Sequence, residues 1–172
     1  MTQADGTLEV VGDMAVIAFE RRLGHPVEAV WAALTEPDRI AAWLGPGNVE
    51  PRRGGRVSIS VGPVGRPALI SGRVLAWDPP RLLEYEWEQP GLDVSVVRFE
   101  LEPAGGATVL RFTHRRSVTR AAVGGRAGWH AYLDRLAAHL DGTAVPGWSE
   151  RRAAVQDAYG EAPLPGPAGG GG

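Results

Sequence analysis

The sequence predicts an α+β domain in which a bent antiparallel sheet wraps around one long helix near the C-terminus. Three observations support this prediction: the order of strand-like and helical segments, the apolar–polar alternation through the middle of the chain, and one sustained amphipathic helix after it. A first strand is followed by two short helices, and a series of strands then leads into the long helix. Such an order lets the sheet bury one face against the helix, with room for a cavity between them.

The first strand and the two short helices are predicted from alternation and from proline positions. Residues 14–23 alternate between two faces, which is typical of a strand. Pro26 suits the first turn of a helix, where a backbone N–H is not needed. Apolar residues then recur at helical spacing, namely Val27, Val30, Trp31 and Leu34. We expect Thr35 to cap a second short helix that ends near Trp43.

Strand patterns dominate from there to residue 114. Alternating segments separated by Gly- and Pro-containing turns predict strands at residues 57–61, 69–77, 81–88, 94–102 and 108–114. Because the turns are short, these strands form an antiparallel meander with one buried and one solvated face. A simple hairpin register places Glu84 opposite Arg98 on the outer face, where an exposed pair contributes only about 0.2–1 kcal/mol.

The long helix has its clearest pattern at residues 128–140. Its apolar residues fall at i, i+4, i+7 and i+11, namely Trp129, Leu133, Leu136 and Leu140. We expect this helix to begin near Ser117 or Thr119 and to end at Asp141-Gly142, with Gly142 as its C-cap.

The ends of the chain are predicted to lie outside the main domain, which spans residues 13–142. Residues 1–12 are expected to be flexible, and residues 143–160 to form a short helix that docks on the domain. Residues 161–172 are rich in Pro and Gly, and we expect them to be disordered.

Composition excludes several classes of chemistry. The chain has no cysteine and no lysine, so thiolate nucleophiles, zinc–sulfur sites and lysine Schiff bases are impossible. The net charge of −2 provides no general attraction to nucleic acid. No apolar run approaches the roughly 20 residues that span a bilayer, and the N-terminus lacks the features of a secretory signal. We therefore expect a cytoplasmic protein without nucleic-acid binding or membrane insertion.

Five segments in order resemble the START-like, or SRPBCC, superfamily. They are HPVEAVWAALTEP at 25–37, WLGP at 43–46, GRVL at 72–75, DPPRL at 78–82 and GWHAYLDRL at 128–136. Together they resemble the bacterial branch that is related to the C-terminal domain of the activator of heat shock protein 90 ATPase. The resemblance spans roughly residues 14–160, which is nearly the whole ordered part of the chain.

This resemblance implies a helix-grip fold, in which a six- or seven-stranded antiparallel sheet curls around a long C-terminal helix. Members of the superfamily commonly enclose an apolar cavity that holds lipids, polyketides, hormones or other small hydrophobic molecules. The eukaryotic co-chaperone carries its principal chaperone contacts on a separate N-terminal domain. The resemblance therefore does not by itself predict stimulation of an ATPase.

The candidate cavity residues are those whose position in a strand or helix directs them between the sheet and the long helix. Strand parity places His114 on the inner face together with the apolar rows. The candidate ligand-binding residues are Trp43, Tyr85, Trp87, Phe99, Phe112, His114, Trp129, Tyr132 and Leu133. One interpretation is a mostly apolar pocket with a few polar groups. The alternative is that the same side chains simply fill a core.

The histidines and arginines give less evidence of a functional site than the aromatic residues do. No pair of histidines has the i, i+4 spacing of a helical metal site, and no nucleophile motif is present. We therefore predict no catalytic residue, no metal ligand and no cofactor. Arginines are concentrated before the long helix, at positions Arg111, Arg115, Arg116, Arg120 and Arg126. They form either a solvated face or a group that attracts an anionic head group to the cavity.

Three functions remain open at this point. The first is a binding protein that holds a small hydrophobic molecule, lipid or polyketide-like, without chemistry of its own. The second is a cyclase- or aromatase-like enzyme in which Tyr85, His114 or Tyr132 supplies acid or base assistance. The third is a stress-response or chaperone cofactor that binds a protein partner through the outer face of the sheet.

Overall fold

The computed structural model describes residues 5–117 and 125–161. Its strands are β1 (Thr7–Val11), β2 (Met14–Leu23), β3 (Gly47–Val49), β4 (Arg56–Val61), β5 (Ala68–Asp78), β6 (Leu82–Trp87), β7 (Ser95–Ala104) and β8 (Ala107–Ser117). These eight strands form one antiparallel sheet in the order β1-β2-β8-β7-β6-β5-β4-β3. Strands β1 and β3 are therefore the two edges, and the last strand, β8, lies inside the sheet between β2 and β7.

The helices lie on the inner side of this curved sheet. They are α1 (Val27–Thr35), α2 (Pro37–Trp43), α3 (Arg126–Asp141) and α4 (Trp148–Val155), which continues as a 3₁₀ turn at Gln156–Tyr159. The apolar face of α3 joins one buried cluster with the inner residues of the sheet. None of the helices in the described ranges has the length and apolar character required to cross a bilayer.

The predicted fold class is confirmed, with two strands beyond the six that the sequence patterns predicted. The additional strands are β1 and β3. Strand β1 lies within residues 1–12, which the sequence analysis assigned to a flexible N-terminus. Four of its five residues are exposed, so it shows no alternation, and its position depends on pairing with β2. The Gly6 N–H also donates to the Tyr159 hydroxyl at 2.9 Å, which ties this end of the chain to the other.

Two predicted helix boundaries differ from the structure. The N-cap of α2 is Glu36, and no side chain caps the helix. Thr35 instead donates its hydroxyl to the Trp31 carbonyl within α1, at 2.8 Å. The start of α3 near Ser117 is also wrong, because Ser117 is the last residue of β8 and the described helix begins at Arg126. Thr119, the other predicted start, lies outside the described residues.

Glu161 corrects the prediction for the C-terminal tail. This residue was assigned to the disordered segment, but its carboxylate is buried and accepts hydrogen bonds from the Arg126 and Ala127 backbone N–H groups at 3.0 and 3.2 Å. These donors are among those that the first turn of a helix leaves unsatisfied. A residue distant in sequence therefore caps α3, which local patterns could not indicate. Residues 162–172 lie outside the described part of the chain.

A charged network centred on Asp134 joins α3 to β2 and α4. Asp134 accepts from Arg21 of β2 at 2.8 Å and from Arg151 of α4, and it also pairs with His130 at 3.4 Å. Burial raises the pKa of Asp134, but hydrogen bonds from His130, Arg21 and Arg151 outweigh it and hold the pKa far below its ordinary value. The carboxylate stays ionised and links the sheet, α3 and α4.

Candidate ligand-binding site

The inward-facing side chains of β8 change from apolar to polar along the strand. In β8 this row runs from Leu110 and Phe112, which are fully buried, to His114 and then Arg116. Successive side chains on one strand face are two residues apart, so all four point to the inner side. The polar members lie at one end of the strand. The space between sheet and α3 therefore has an apolar end and an end with polar groups.

The apolar end is filled, and we call it the packed core. It contains five of the nine candidate residues, namely Trp43, Tyr85, Phe99, Phe112 and Leu133. Each of these side chains is at most 1% exposed. Trp43 lies 6.4 Å from Phe99 between ring centroids, and its indole N–H donates to the Ala33 carbonyl at 2.8 Å. Among the described residues, none of these five lines the cavity at the other end of the interior.

The other end contains a cavity of about 320 Å³. Its walls come from the β4–β5 turn, the β6–β7 loop, the end of β8, the start of α3 and α4. The remaining four candidate residues, Trp87, His114, Trp129 and Tyr132, line this cavity. Trp148 of α4 completes the aromatic wall. The nine candidate residues are thus divided between two ends of the same interior.

A row of aromatic rings forms the wall of the cavity. Trp87 and Trp129 lie 5.1 Å apart between centroids, Trp129 and Tyr132 lie 5.5 Å apart, and Tyr132 stacks on Trp148 at 5.2 Å. Trp129 also lies 4.2 Å from Phe112 of the packed core. Trp129 is therefore the boundary between the two ends. Aromatic pairs in offset or tilted geometry at these distances are stabilised by more than the burial of their apolar surface alone.

His114 is held in one orientation by hydrogen bonds to both ring nitrogens. Trp129 Nε1–H donates to His114 Nδ1 at 3.0 Å, so the proton of the neutral ring lies on Nε2. His114 Nε2–H then donates to Ser95 Oγ at 2.8 Å, and the Ser95 hydroxyl donates to the Trp87 carbonyl at 2.7 Å. Burial, together with the charge of Arg116, lowers the pKa of His114 to about 3. The imidazole is neutral at physiological pH.

The hydroxyl and indole groups of the wall are also engaged. The Tyr132 hydroxyl accepts the Gly62 backbone N–H at 2.8 Å, which attaches α3 to the β4–β5 turn. Burial raises the pKa of Tyr132 to about 12, so this hydroxyl remains protonated at neutral pH. Trp148 Nε1–H donates to the Gly128 carbonyl at 3.0 Å. The wall therefore presents mainly ring faces to the cavity.

Among the described residues, the charged groups that line the cavity are basic: Arg66, Arg116 and Arg152. Three of the other arginines singled out in the sequence lie elsewhere. Arg111 and Arg115 lie on the outer face, where they pair with carboxylates of β2, β6 and β7. Arg126 lies over the Tyr159 ring at 4.9 Å, and Arg120 lies outside the described residues. Of the five arginines, Arg116 is the one that the structure places in the cavity wall.

Large exposed apolar side chains are grouped at the end of the sheet that holds the cavity. The large hydrophobic residues that are exposed in the described ranges are Val10, Val11, Met14, Val64, Leu69, Leu92 and Val94. All lie at one end of the sheet, because Met14 pairs with Ser117 at the end of β8 and Ser95 pairs with Trp87 at the end of β6. Of these residues, Leu92 lines the cavity.

Sequence reasoning missed Ser95 and the wall position of Trp148. The signal for Ser95 was available, because it shares strand parity with Val97 and Phe99 and so had to face inward. Trp148 was assigned to a docking helix, but its place in the cavity depends on how α4 crosses α3. Among the described residues, no group of three or more His, Asp and Glu side chains is arranged to hold a metal ion.

The fold and the sequence define the class of this protein. A model of the family described as activator of Hsp90 ATPase homolog 1-like protein matches residues 24–141. The chain belongs to this family, within the START-like superfamily, as the sequence motifs predicted. No curated protein sequence matches the chain at a significant level.

Solved structures of bacterial proteins are similar over most of the chain. CalU16 from Micromonospora echinospora is 27% identical, with a TM-score of 0.72, and the match covers 92% of this chain and 97% of that protein. The product of gene BPP1335 from Bordetella parapertussis is 31% identical, with a TM-score of 0.72 and coverage of 95% and 93%. MLL2253 from Mesorhizobium loti is 32% identical, with a TM-score of 0.67 and coverage of 75% and 98%.

Proposed function

We propose that this protein binds one small, mostly apolar molecule in the cavity between the sheet and α3, with no chemistry of its own. The observation that supports this most directly is the row of Trp87, Trp129, Tyr132 and Trp148 along a cavity of about 320 Å³. Small-molecule sites are typically roughly 300–1,000 Å³, mainly apolar, with a few fixed polar groups. The proposal places the protein in the cytoplasm, as the sequence analysis expected.

The size of the cavity limits the ligand. A volume at the lower end of the range for small-molecule sites suits one or two fused rings or a short chain. It does not suit a lipid with two long acyl chains. Within the lipid or polyketide-like classes that the family resemblance suggested, the proposal therefore favours compact, ring-containing molecules.

The candidate acid and base groups argue for binding rather than catalysis. A general acid or base must reach the substrate proton and titrate near the working pH. His114 has both ring nitrogens engaged and a pKa of about 3, and the Tyr132 hydroxyl already accepts the Gly62 N–H. Tyr85 lies in the packed core. The cyclase-like alternative thus has no titrating group available in the described cavity wall.

Native mass spectrometry of freshly purified protein and titration with a neutral fluorescent probe test this proposal. N-phenyl-1-naphthylamine is suitable because it is apolar and uncharged, and three of the six tryptophans line the cavity and report on it directly. We expect a retained small molecule or saturable binding of the probe, with a change in tryptophan emission. Absence of both would overturn the proposal.

A matched pair of variants locates the binding. Ala68 lines the cavity, whereas the next residue, Leu69, is exposed on the other face of β5. Ala68→Trp is expected to fill the cavity and weaken probe binding by at least about tenfold, which corresponds to roughly 1.4 kcal/mol. Leu69→Trp adds the same ring outside the cavity and is expected to leave the affinity within about twofold of wild type. Equal effects of the two variants would place the probe elsewhere.

A further inference from the structure

We propose that the cavity selects an anionic ligand, whose ring system lies against the aromatic wall and whose single carboxylate or phosphate group binds the Arg116 guanidinium. This inference rests on the proposed binding function and deepens it by naming the chemical class of the ligand. It depends on the position of Arg116, on the absence of acidic side chains among the described residues that line the cavity, and on the hydrogen bonds that occupy most of the competing polar groups.

The position of Arg116 follows from strand parity. It is the next inward-facing residue of β8 after His114, and it lines the cavity. Its partner across the strand pair is Ala15 of β2, a buried residue with a small side chain. The Arg116 side chain is therefore part of the inner face. His114, two residues earlier in β8, is hydrogen-bonded to Trp129 of the aromatic row.

The charge of Arg116 has no acidic partner among the described residues. Its side chain makes no hydrogen bond or ion pair there, and burial lowers the pKa of its guanidinium from the ordinary value. The segments outside the described residues contain no Asp or Glu. Asp93 lies beside Arg116 in a shallow surface depression without forming an ion pair. A partly buried cation without an acidic partner is strongly stabilised by an anionic group of a ligand.

Most of the other polar groups around the cavity already have hydrogen-bond partners, and Arg66, the remaining lining arginine, is exposed in the β4–β5 turn. His114 Nε2–H donates to Ser95, and the Gly62 N–H donates to Tyr132. The start of α3, which could otherwise attract an anion, is capped by Glu161. Arg152 donates to Gln156 and lies 3.9 Å from Glu161. Arg116 is thus the lining cation best placed to bind a ligand oxyanion, and its planar fork can bind two oxygens at once.

Three ligands that share one ring system test the inference. The compounds are 2-naphthoate, 2-naphthyl phosphate and the uncharged 2-naphthamide, titrated against wild-type protein by calorimetry at pH 7.5. A charge-assisted hydrogen-bond pair to a partly buried guanidinium predicts that at least one anion binds roughly 10- to 100-fold more tightly than the amide. The ranking of carboxylate and phosphate identifies the head group.

Neighbouring arginines on opposite strand faces provide the matched control. Arg116→Gln is expected to remove the preference for the anion and to leave amide binding within about twofold of wild type. Arg115→Gln makes the same change in net charge on the outer face, where Arg115 pairs with Glu84, and is expected to preserve the preference. Arg116→Lys keeps the charge without the fork and should fall between them.

Different results of these titrations would contradict the anion preference alone or the proposed binding function as well. Tight binding of the amide or of N-phenyl-1-naphthylamine without any preference for an anion would overturn this inference and leave the binding function in place. An equal loss of anion binding in Arg115→Gln and Arg116→Gln would also overturn it, since only general electrostatic attraction would then remain. If none of the four probes binds, both the inference and the proposed function are wrong.

Discussion

The packed core and the cavity are built from the same strands and the same helix, yet one is filled and the other is open. In the packed core, rings from α2, β6, β7 and β8 meet α3 without a gap, and Phe99 and Phe112 lie 5.1 Å apart. In the cavity, the corresponding strand positions hold His114, Arg116 and the small residue Ala68. In β8, the change from a filled to an open interior takes place between Phe112 and the inward-facing residues two and four positions later, His114 and Arg116.

Trp129 separates these two regions and is fixed from both sides. Its ring packs on Phe112, and its indole N–H is bound to His114. Because His114 is itself bound to Ser95, the orientation of Trp129 is determined by a chain of hydrogen bonds from the sheet. A buried polar network of this kind specifies one arrangement when every member is satisfied.

The largest expected difference between the two regions is in the free energy of unfolding that is lost when a tryptophan is replaced by alanine. Trp43 and Trp148 each donate an indole hydrogen bond to a backbone carbonyl, of Ala33 and Gly128 respectively. Trp43→Ala creates a void in the packed core and is expected to lower the free energy of unfolding by about 3–5 kcal/mol. Trp148→Ala opens onto an existing cavity and is expected to cost about 1–2 kcal/mol. Urea denaturation measures both, and equal losses would remove the distinction between filled and open ends.

Acid is expected to lower the stability of the folded protein by an intermediate amount, because of His114. The unfolded state binds a proton at the ordinary histidine pKa, whereas the folded state stays neutral until pH is near 3. Protons therefore favour the unfolded state between about pH 6.5 and pH 3, and stability falls as pH decreases through that window. The contribution is about 1.4 kcal/mol per pH unit for one proton.

Denaturation of wild type and His114→Asn at pH 7.5, 6, 5 and 4 isolates this contribution. The variant lacks the titrating ring, so the difference in stability between the two proteins should shrink as the pH falls below about 6.5. A difference that stays constant over this range would show that the buried imidazole does not remain neutral in the folded protein.

The smallest expected effect comes from a glycine in the cavity wall. Gly128→Ala is expected to raise the free energy of unfolding by about 0.5–1 kcal/mol, because alanine favours the helix. The added Cβ would lie 3.4 Å from the Trp148 ring and narrow the cavity slightly. At Gly45 the same change would place Cβ 1.8 Å from the Ser60 carbonyl oxygen, so Gly45→Ala should destabilise the protein. Thermal melts of the two variants should shift in opposite directions.

Much of the fold could be predicted because local patterns report local structure. Alternation identified β2 with its observed bounds, and short turns implied the antiparallel register that pairs Glu84 with Arg98. Strand β1 could not be predicted, because an edge strand with mostly exposed residues has no alternation. The cap from Glu161 to α3 was also inaccessible, since it joins residues far apart in the chain.

The sequence by itself determined the family, the α+β architecture and which side chains face the interior, because strand parity and helical periodicity are properties of adjacent residues. Only the tertiary structure decided where that interior is solid. The angle at which α3 crosses the sheet brings Trp129 onto Phe112, and the position of α4 places Trp148 beside Tyr132. Packing depends on how separate elements fill shared space, and no single segment carries that information.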